Sequence, residues 1–270
     1  MANGLLLVGC GKMGGAMLAG WLDQGTDPAS VVIVEPTEAL RQPWAKRGIN
    51  VVAAAADIPA GFAPDCVIFA VKPQQMVDVV PDYVRFRGPG TQFLSIAAGT
   101  TIRFFEGILG PDAAVVRTMP NTPAAVGKGM LVACPNGPVT SAMRARADTL
   151  LAAVGAVAWI EDEALMDAVT AVSGSGPAYV FYMIECMTQA GIAAGLPAEL
   201  AAQLASQTVY GAGALAHAAP EDPGTLRKNV TSPGGTTQAA LEVLMADDGL
   251  APLVRRAVDA AARRSRELGS

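Results

Sequence analysis

Three features of this 270-residue chain are spaced for chemistry. The first is Val8-Gly9-Cys10-Gly11-Lys12-Met13-Gly14, a Gly-x-Gly-x-x-Gly turn between the apolar run Leu5-Leu6-Leu7 and a helix-like stretch through Met17, Leu18 and Trp21. In such a turn the first glycine permits the tight reversal, the second lets a pyrophosphate approach the backbone, and the third lets helix and strand pack closely. The helix dipole and the free N–H groups of its first turn then face the phosphates. The second is Glu35, which closes the apolar run Val31-Val32-Ile33-Val34 where an acidic side chain holds the hydroxyls of an adenosine ribose. The third is Ser232-Pro233-Gly234-Gly235-Thr236-Thr237, a second glycine-rich loop feeding a helix. Its backbone N–H groups suit an anion such as a carboxylate, and the hydroxyls of Ser232, Thr236 and Thr237 add neutral donors. Read more plainly, Thr236 or Thr237 is only an N-cap.

The elements that must carry these residues follow from periodicity. The first half alternates short apolar runs with helical stretches: strands at Leu5–Val8, Val31–Val34, Ile49–Val52, Cys66–Val71, Gln92–Ala97, Ala113–Arg117, Leu131–Ala133 and Val157–Ile160. Helices are expected through Leu40 and Trp44, over Gln74–Tyr83 and over Ser141–Val154. That alternation predicts an α/β Rossmann domain, a mostly parallel doubly wound sheet with both faces covered. Ligands of such sheets lie outside the carboxyl ends of the strands. This brings in Ala70-Val71-Lys72-Pro73, Ala97-Ala98-Gly99 and Asn121 within Met119-Pro120-Asn121. Lys72, a charge placed directly after a buried strand, meets a phosphate or ribose hydroxyl, or is simply solvated. From Glu161 on, helical stretches replace strands: Ala164–Val172, Ala178–Gly195, Ala198–Ala218, Thr236–Ala246 and Leu250–Leu268. Ser173-Gly174-Ser175-Gly176-Pro177 reads as a small-residue turn opening a helix, and Pro220–Gly224 as a connection. The expected division is residues 1–160 for the dinucleotide domain and 161–270 for a helical domain. The apolar faces of that second half predict a symmetric dimer that shares it.

Composition excludes several classes. A net charge of −5 gives no general attraction to nucleic acid or to an anionic membrane. The longest apolar stretch, Ala178–Ile184, is too short to span a bilayer, and no signal peptide opens the chain, so a cytoplasmic protein is expected. Four widely spaced cysteines form no Cys-x-x-Cys or zinc pattern and read as reduced core thiols. His217 is the sole histidine, so neither a Ser/His/Asp triad nor a His-based metal site can be assembled, and no metal is expected.

Taken together, Val8–Gly14, Ala70–Pro73, Met119–Pro123, Val172–Tyr179 and Ser232–Thr237 resemble the pyrroline-5-carboxylate reductases across essentially the whole chain. The resemblance implies reduction of 1-pyrroline-5-carboxylate to L-proline, the last step of proline biosynthesis, with hydride from NADPH or NADH. It also implies a Rossmann domain followed by an all-α dimerisation domain, with dimers assembled into decamers. By the same resemblance the Ser232–Thr237 loop receives the substrate carboxylate and Thr237 places its hydroxyl near the ring nitrogen. Glu163 and Asn229 match positions that line the site. Many relatives favour NADPH and carry a small or basic residue where this chain has Glu35; a carboxylate there repels a 2′-phosphate and favours NADH. Arg41, six residues later, could swing toward that phosphate. The alternatives are an imine reductase or a β-hydroxyacid dehydrogenase-like reductase, and a non-catalytic dinucleotide sensor. The dehydrogenases carry a catalytic lysine on the helix after the small-residue turn, and Tyr179–Glu185 contains none.

Overall fold

The computed structural model describes residues 4–269. Its eight strands form one sheet in the order β3-β2-β1-β4-β5-β6-β7-β8. They are β1 (Leu5–Val8), β2 (Val31–Val34), β3 (Asn50–Val52), β4 (Cys66–Phe69), β5 (Gln92–Ser95), β6 (Ala114–Met119), β7 (Gly129–Pro135) and β8 (Gly155–Trp159). Strand β1 sits between β2 and β4 in parallel register, Leu5 opposite both Val31 and Cys66. The chain runs outward from β1 in both directions, which puts the topological switch at its carboxyl end. Successive side chains of a strand point to opposite faces. Leu5 and Leu7 therefore join one core, with Met17 and Trp21 of α1 (Lys12–Asp23), while Leu6 and Val8 join the other. The Trp21 indole donates to Leu150 O at 2.8 Å, tying α1 to α5 (Ser141–Ala152). In the second core Phe69 contacts the rings of Tyr83, Phe93 and Phe105 at 5.5, 6.2 and 5.7 Å.

Several local expectations change. One strand pair, β6 and β7, is antiparallel. The linking stretch, Pro120–Lys128, holds only a 3-10 turn at Thr122–Val126, whereas a parallel return needs about a dozen residues or more. The helix expected over Gln74–Tyr83 is reduced to one α-turn, α3 (Met76–Val79), between 3-10 turns at Pro73–Gln75 and Val80–Phe86. Pro81 lacks the N–H that a continuing α-helix requires. Conversely, α4 (Ile102–Leu109) forms where no helix was expected, capped by Thr101 Oγ1 accepting from Phe104 N and burying Ile102, Phe105 and Leu109. Helix α2 (Glu38–Ala45) follows β2 as expected.

After β8 the chain is helical: α6 (Met166–Val169), a π-turn at Thr170–Gly174, then α7 (Gly176–Ala193), α8 (Ala198–Ala218), α9 (Pro223–Asn229), α10 (Thr236–Leu244) and α11 (Leu250–Gly269). The small-residue motif is thus a wide helical turn leading into α7. Helix α9 follows the expected connection and takes in its last two residues, because Asp222 accepts from Gly224 N and Thr225 N and Pro223 occupies the first turn, a starting signal for a helix. Two compact units result: residues through Gly174 together with those from Ala262 onward, and Ser175–Ala261. The second unit rests on the α7–α8 pair, where a Cβ on Gly191 would lie 3.2 Å from Ala201 Cβ. Of its helical residues only Ala201 and Ala205 are buried, while Phe181, Tyr182, Tyr210 and Val243 are exposed.

Candidate active site

The glycine turn has the geometry its spacing predicts. Gly9 has φ +88° and donates to Val34 O at 2.8 Å, and a side chain on it would strike Val71 Cγ1 at 2.8 Å. A Cβ on Gly14 would lie 2.5 Å from Gly9 O and 3.1 Å from Ala70 Cβ, so only glycine lets α1 lie this close to the strands. Gly11 differs: a Cβ there meets nothing within 4 Å. It is the N-cap of α1 and supplies no side-chain acceptor, so the first-turn N–H groups remain for a ligand in the space before them. Lys12 and Met13 are the next residues of that turn. Cys10 is buried, and burial together with the neighbouring Glu35 carboxylate pushes its thiol up to about 12. It stays a neutral thiol near neutral pH.

A cleft of about 510 Å³ opens from this turn along the carboxyl ends of β1, β2 and β4. Val8, Gly9, Gly11, Glu35, Ala70, Val71 and Lys72 line it, as the strand-end reasoning expects. Ala53, Ala54, Gln75, Asp78 and Asp82 line it too, and sequence reasoning passed over them. Ala53 and Ala54 follow β3 directly, and the strand-end rule applied to β3 would have found them. A hollow of similar size, about 530 Å³, is lined by Leu5, Thr26, Asp27 and Arg146 at the opposite ends of the strands, away from the switch point.

Glu35 is bonded into the glycine turn. It is 6% exposed, and its carboxylate accepts from Cys10 N and Thr37 N, each at 2.9 Å. The acid at the end of β2 therefore also holds the glycine turn. The Arg41 guanidinium does not pair with that carboxylate; Nη1 donates to Glu35 O at 2.8 Å and Pro36 O at 2.7 Å. Lys72 is exposed and its ammonium makes no ion pair among the described residues.

Farther along the sheet, Ala97, Ala98 and Gly99 follow β5 as a ledge of small residues. Ser95 Oγ accepts from Ala97 N, and Gly99 has φ +76°. Two neighbouring side chains are also bonded within the protein. Asn121 Oδ1 accepts from Met130 N at 2.8 Å, and Nδ2 donates to Ser173 O at 3.1 Å. Its amide is used within the protein, so Asn121 positions the end of β6. Glu163 Oε1 accepts from Arg117 Nη1 at 2.6 Å and from Ile102 N at 2.8 Å. Arg117 is buried on β6, and Glu163 neutralises it while pinning the amino end of α4.

In the helical unit, Gly235 is the N-cap of α10, so neither Thr236 nor Thr237 caps it. Gly234, with φ +70°, donates to Gln238 Oε1 at 2.7 Å, and Gly235 N donates to Ser232 O at 3.0 Å. Both glycine N–H groups shape the loop. The first-turn N–H groups of Thr236 and Thr237 have no partner within the helix, and Ser232, Thr236 and Thr237 bring three hydroxyls to the same loop. Gln238, three residues after the N-cap, was the overlooked member; a glutamine there is a capping-box signal. Asn229 is exposed at the end of α9, and His217 is exposed in the last turn of α8. Among the described residues no three His, Cys, Asp or Glu side chains gather as metal ligands, and no helix is long and apolar enough to cross a membrane.

Known proteins match the chain along its length. Residues 163–268 match the family described as pyrroline-5-carboxylate reductase dimerisation, and residues 5–99 match NADP oxidoreductase coenzyme F420-dependent. A pyrroline-5-carboxylate reductase of Pseudomonas aeruginosa is 40% identical over 98% of this chain and 96% of its own. The structure of one from Coxiella burnetii superposes with a TM-score of 0.93 at 31% identity, covering 100% of both chains. The Plasmodium falciparum pyrroline carboxylate reductase, crystallised with NADP bound, gives a TM-score of 0.85 at 29% identity, again covering 100% of both.

Proposed function

The chain belongs to the pyrroline-5-carboxylate reductase family, and we propose roles for its residues in that reaction. It is an oxidoreductase that reduces 1-pyrroline-5-carboxylate to L-proline with NAD(P)H, the last step of proline biosynthesis. The residues present suit such a cofactor: the open space at Gly11 and the uncapped start of α1 accept a pyrophosphate, and Glu35 accepts ribose hydroxyls. When bound, NAD(P)H supplies the hydride. Lys72 offers its ammonium to a phosphate or ribose oxygen, and the Ala97–Gly99 ledge supports a flat ring. Asn229 borders the cofactor.

The substrate carboxylate is held by the N–H groups of Thr236 and Thr237 and by the Ser232 hydroxyl, at the positive end of the α10 dipole. The Thr237 hydroxyl hydrogen-bonds at the ring nitrogen, donating to the neutral imine and accepting from the N–H of the protonated one. A protonated cyclic imine is already electrophilic, so orientation supplies most of what the protein must add. What carries the assignment of roles is the pair of glycine-fed, uncapped helix starts, one suited to a pyrophosphate and one to a carboxylate.

The carboxylate of Glu35, tied to the glycine turn, makes NADH the preferred donor. The chain is a homo-oligomer; residues 161–270 form a homodimer through their exposed apolar helices, and dimers assemble further into decamers in the cytoplasm. Purified protein mixed with pyrroline-5-carboxylate and NADH or NADPH should show rapid loss of the reduced nicotinamide absorbance. Cofactor binding without turnover on any pyrroline carboxylate would defeat the substrate assignment and leave the dinucleotide site standing.

A further inference from the structure

The last turns of α11, from Ala262 onward, are part of the sheet-bearing unit. Ser265 is 5% exposed and its Oγ lies 2.6 Å from Asp167 Oδ1, which fixes the helix lengthwise. Three residues on, the helix backbone packs on Gly99, at the end of the ledge after β5. A Cβ on Gly99 would lie 3.4 Å from Leu268 O, and one on Gly269 would lie 3.0 Å from Gly99 O. Backbone thus packs on backbone, while the Leu268 side chain is 58% exposed. An apolar group is held at the rim of the ledge, by its backbone and by its Cβ, which lies 3.5 Å from a Cβ built on Gly99.

The ledge has a defined place in the sheet. Glu35 stands at the end of β2, on one side of β1, and Ala97-Ala98-Gly99 follows β5, on the other side beyond β4. A dinucleotide with its adenosine ribose at Glu35 and its pyrophosphate at the start of α1 extends its nicotinamide toward β4 and β5. We propose that the carboxy-terminal turn of α11 walls the nicotinamide end of the cofactor site, with Leu268 as the apolar side chain beside the ring. Leu268 is then a positioning residue for hydride transfer, and the last turn of the chain contributes to cofactor affinity. This rests on the dinucleotide reading given above.

The test compares dissociation constants of NADH and of ADP-ribose, which lacks the nicotinamide, by titration calorimetry on the full chain. Two variants are measured beside it, Leu268→Ser and a deletion from Leu268 onward. Covering roughly 40 Å² of apolar surface corresponds to about a five-fold gain in affinity. Both variants should therefore bind NADH about five-fold more weakly and ADP-ribose within about twofold of the parent. The point variant is at an exposed side chain, so it answers even where the deletion disturbs folding. Unchanged NADH affinity, or an equal loss for both ligands, overturns the wall. Failure of the parent to bind either ligand overturns instead the dinucleotide reading beneath it.

Discussion

Replacing Glu35 by serine measures what the acid at the end of β2 does for cofactor choice. Its two carboxylate oxygens accept from Cys10 N and Thr37 N at 2.9 Å each, and each retains a lone pair for a ribose hydroxyl. A hydrogen bond to a charged acceptor contributes ~1.5–3 kcal/mol. NADPH instead presents a 2′-phosphate at this point, with about −1.5 to −2 charge at neutral pH. At a separation on the order of 6 Å and an effective dielectric of ~20, each unit of that charge is repelled by about 3 kcal/mol, and screening at an open cleft leaves roughly half. Glu35→Ser removes both the attraction and the repulsion. The ratio of kcat/KM with NADH to kcat/KM with NADPH should fall on the order of 1,000-fold, equivalent to ~4 kcal/mol, the lower end of the two effects together. Parallel initial rates with pyrroline-5-carboxylate and each cofactor give that ratio. Glu35→Gln, which keeps one oxygen for a backbone N–H, separates charge from loop shape. An unchanged ratio in Glu35→Ser, even with both rates depressed, would refute the reasoning and leave Glu35 only the task of holding the glycine turn.

Gly14→Ala drives a methyl group to 2.5 Å from Gly9 O, so it should destabilise the fold by ~2–3 kcal/mol in urea titration and weaken NADH binding by more than about tenfold. Glu163→Ala strands the Arg117 guanidinium, whose side chain is 6% exposed, and should cost ~3 kcal/mol by the same titration; Glu163→Gln keeps an acceptor for Ile102 N and should cost less. Thr237→Val preserves shape and removes the hydroxyl, so kcat should fall by about 10- to 100-fold with little change in the substrate KM; an unaltered kcat would take the hydroxyl out of the chemistry. Burial holds the thiols of Cys10 and Cys66 up at about 12 and that of Cys134 at about 11. Folded values above the unfolded ~8.5 mean that this stability is intact below that pH and is lost as pH rises toward the folded values. The melting temperature should therefore decline above about pH 9, and an aromatic disulfide reagent near pH 8 should leave these three thiols unmodified until denaturant is added.

Sequence alone settled much of what depends on neighbours along the chain. The glycine spacing of Gly9, Gly11 and Gly14 and the apolar runs that became β1, β2 and β4 act over a few residues, and their physical consequences are local. The same holds for Glu35 at a strand end and for the Ser232–Thr237 loop before α10, which point to a dinucleotide fold and an anion site, whereas the reaction follows from the family resemblance. Tertiary structure decided what those groups are bonded to. Glu163 meets Arg117 and Ile102 across 46 and 61 residues, and Asn121 meets Ser173 across 52, pairings that no periodicity encodes. Those distant partners give two expected ligand residues internal bonds as well. The reversal of β7 and the helix α4 belong here as well: a short link forbids a crossover, and a short amphipathic stretch becomes a helix only when the sheet offers Phe105 and Leu109 a surface to cover. Sequence specifies which groups are present and in what local geometry, whereas burial and pairing are properties of the packed chain.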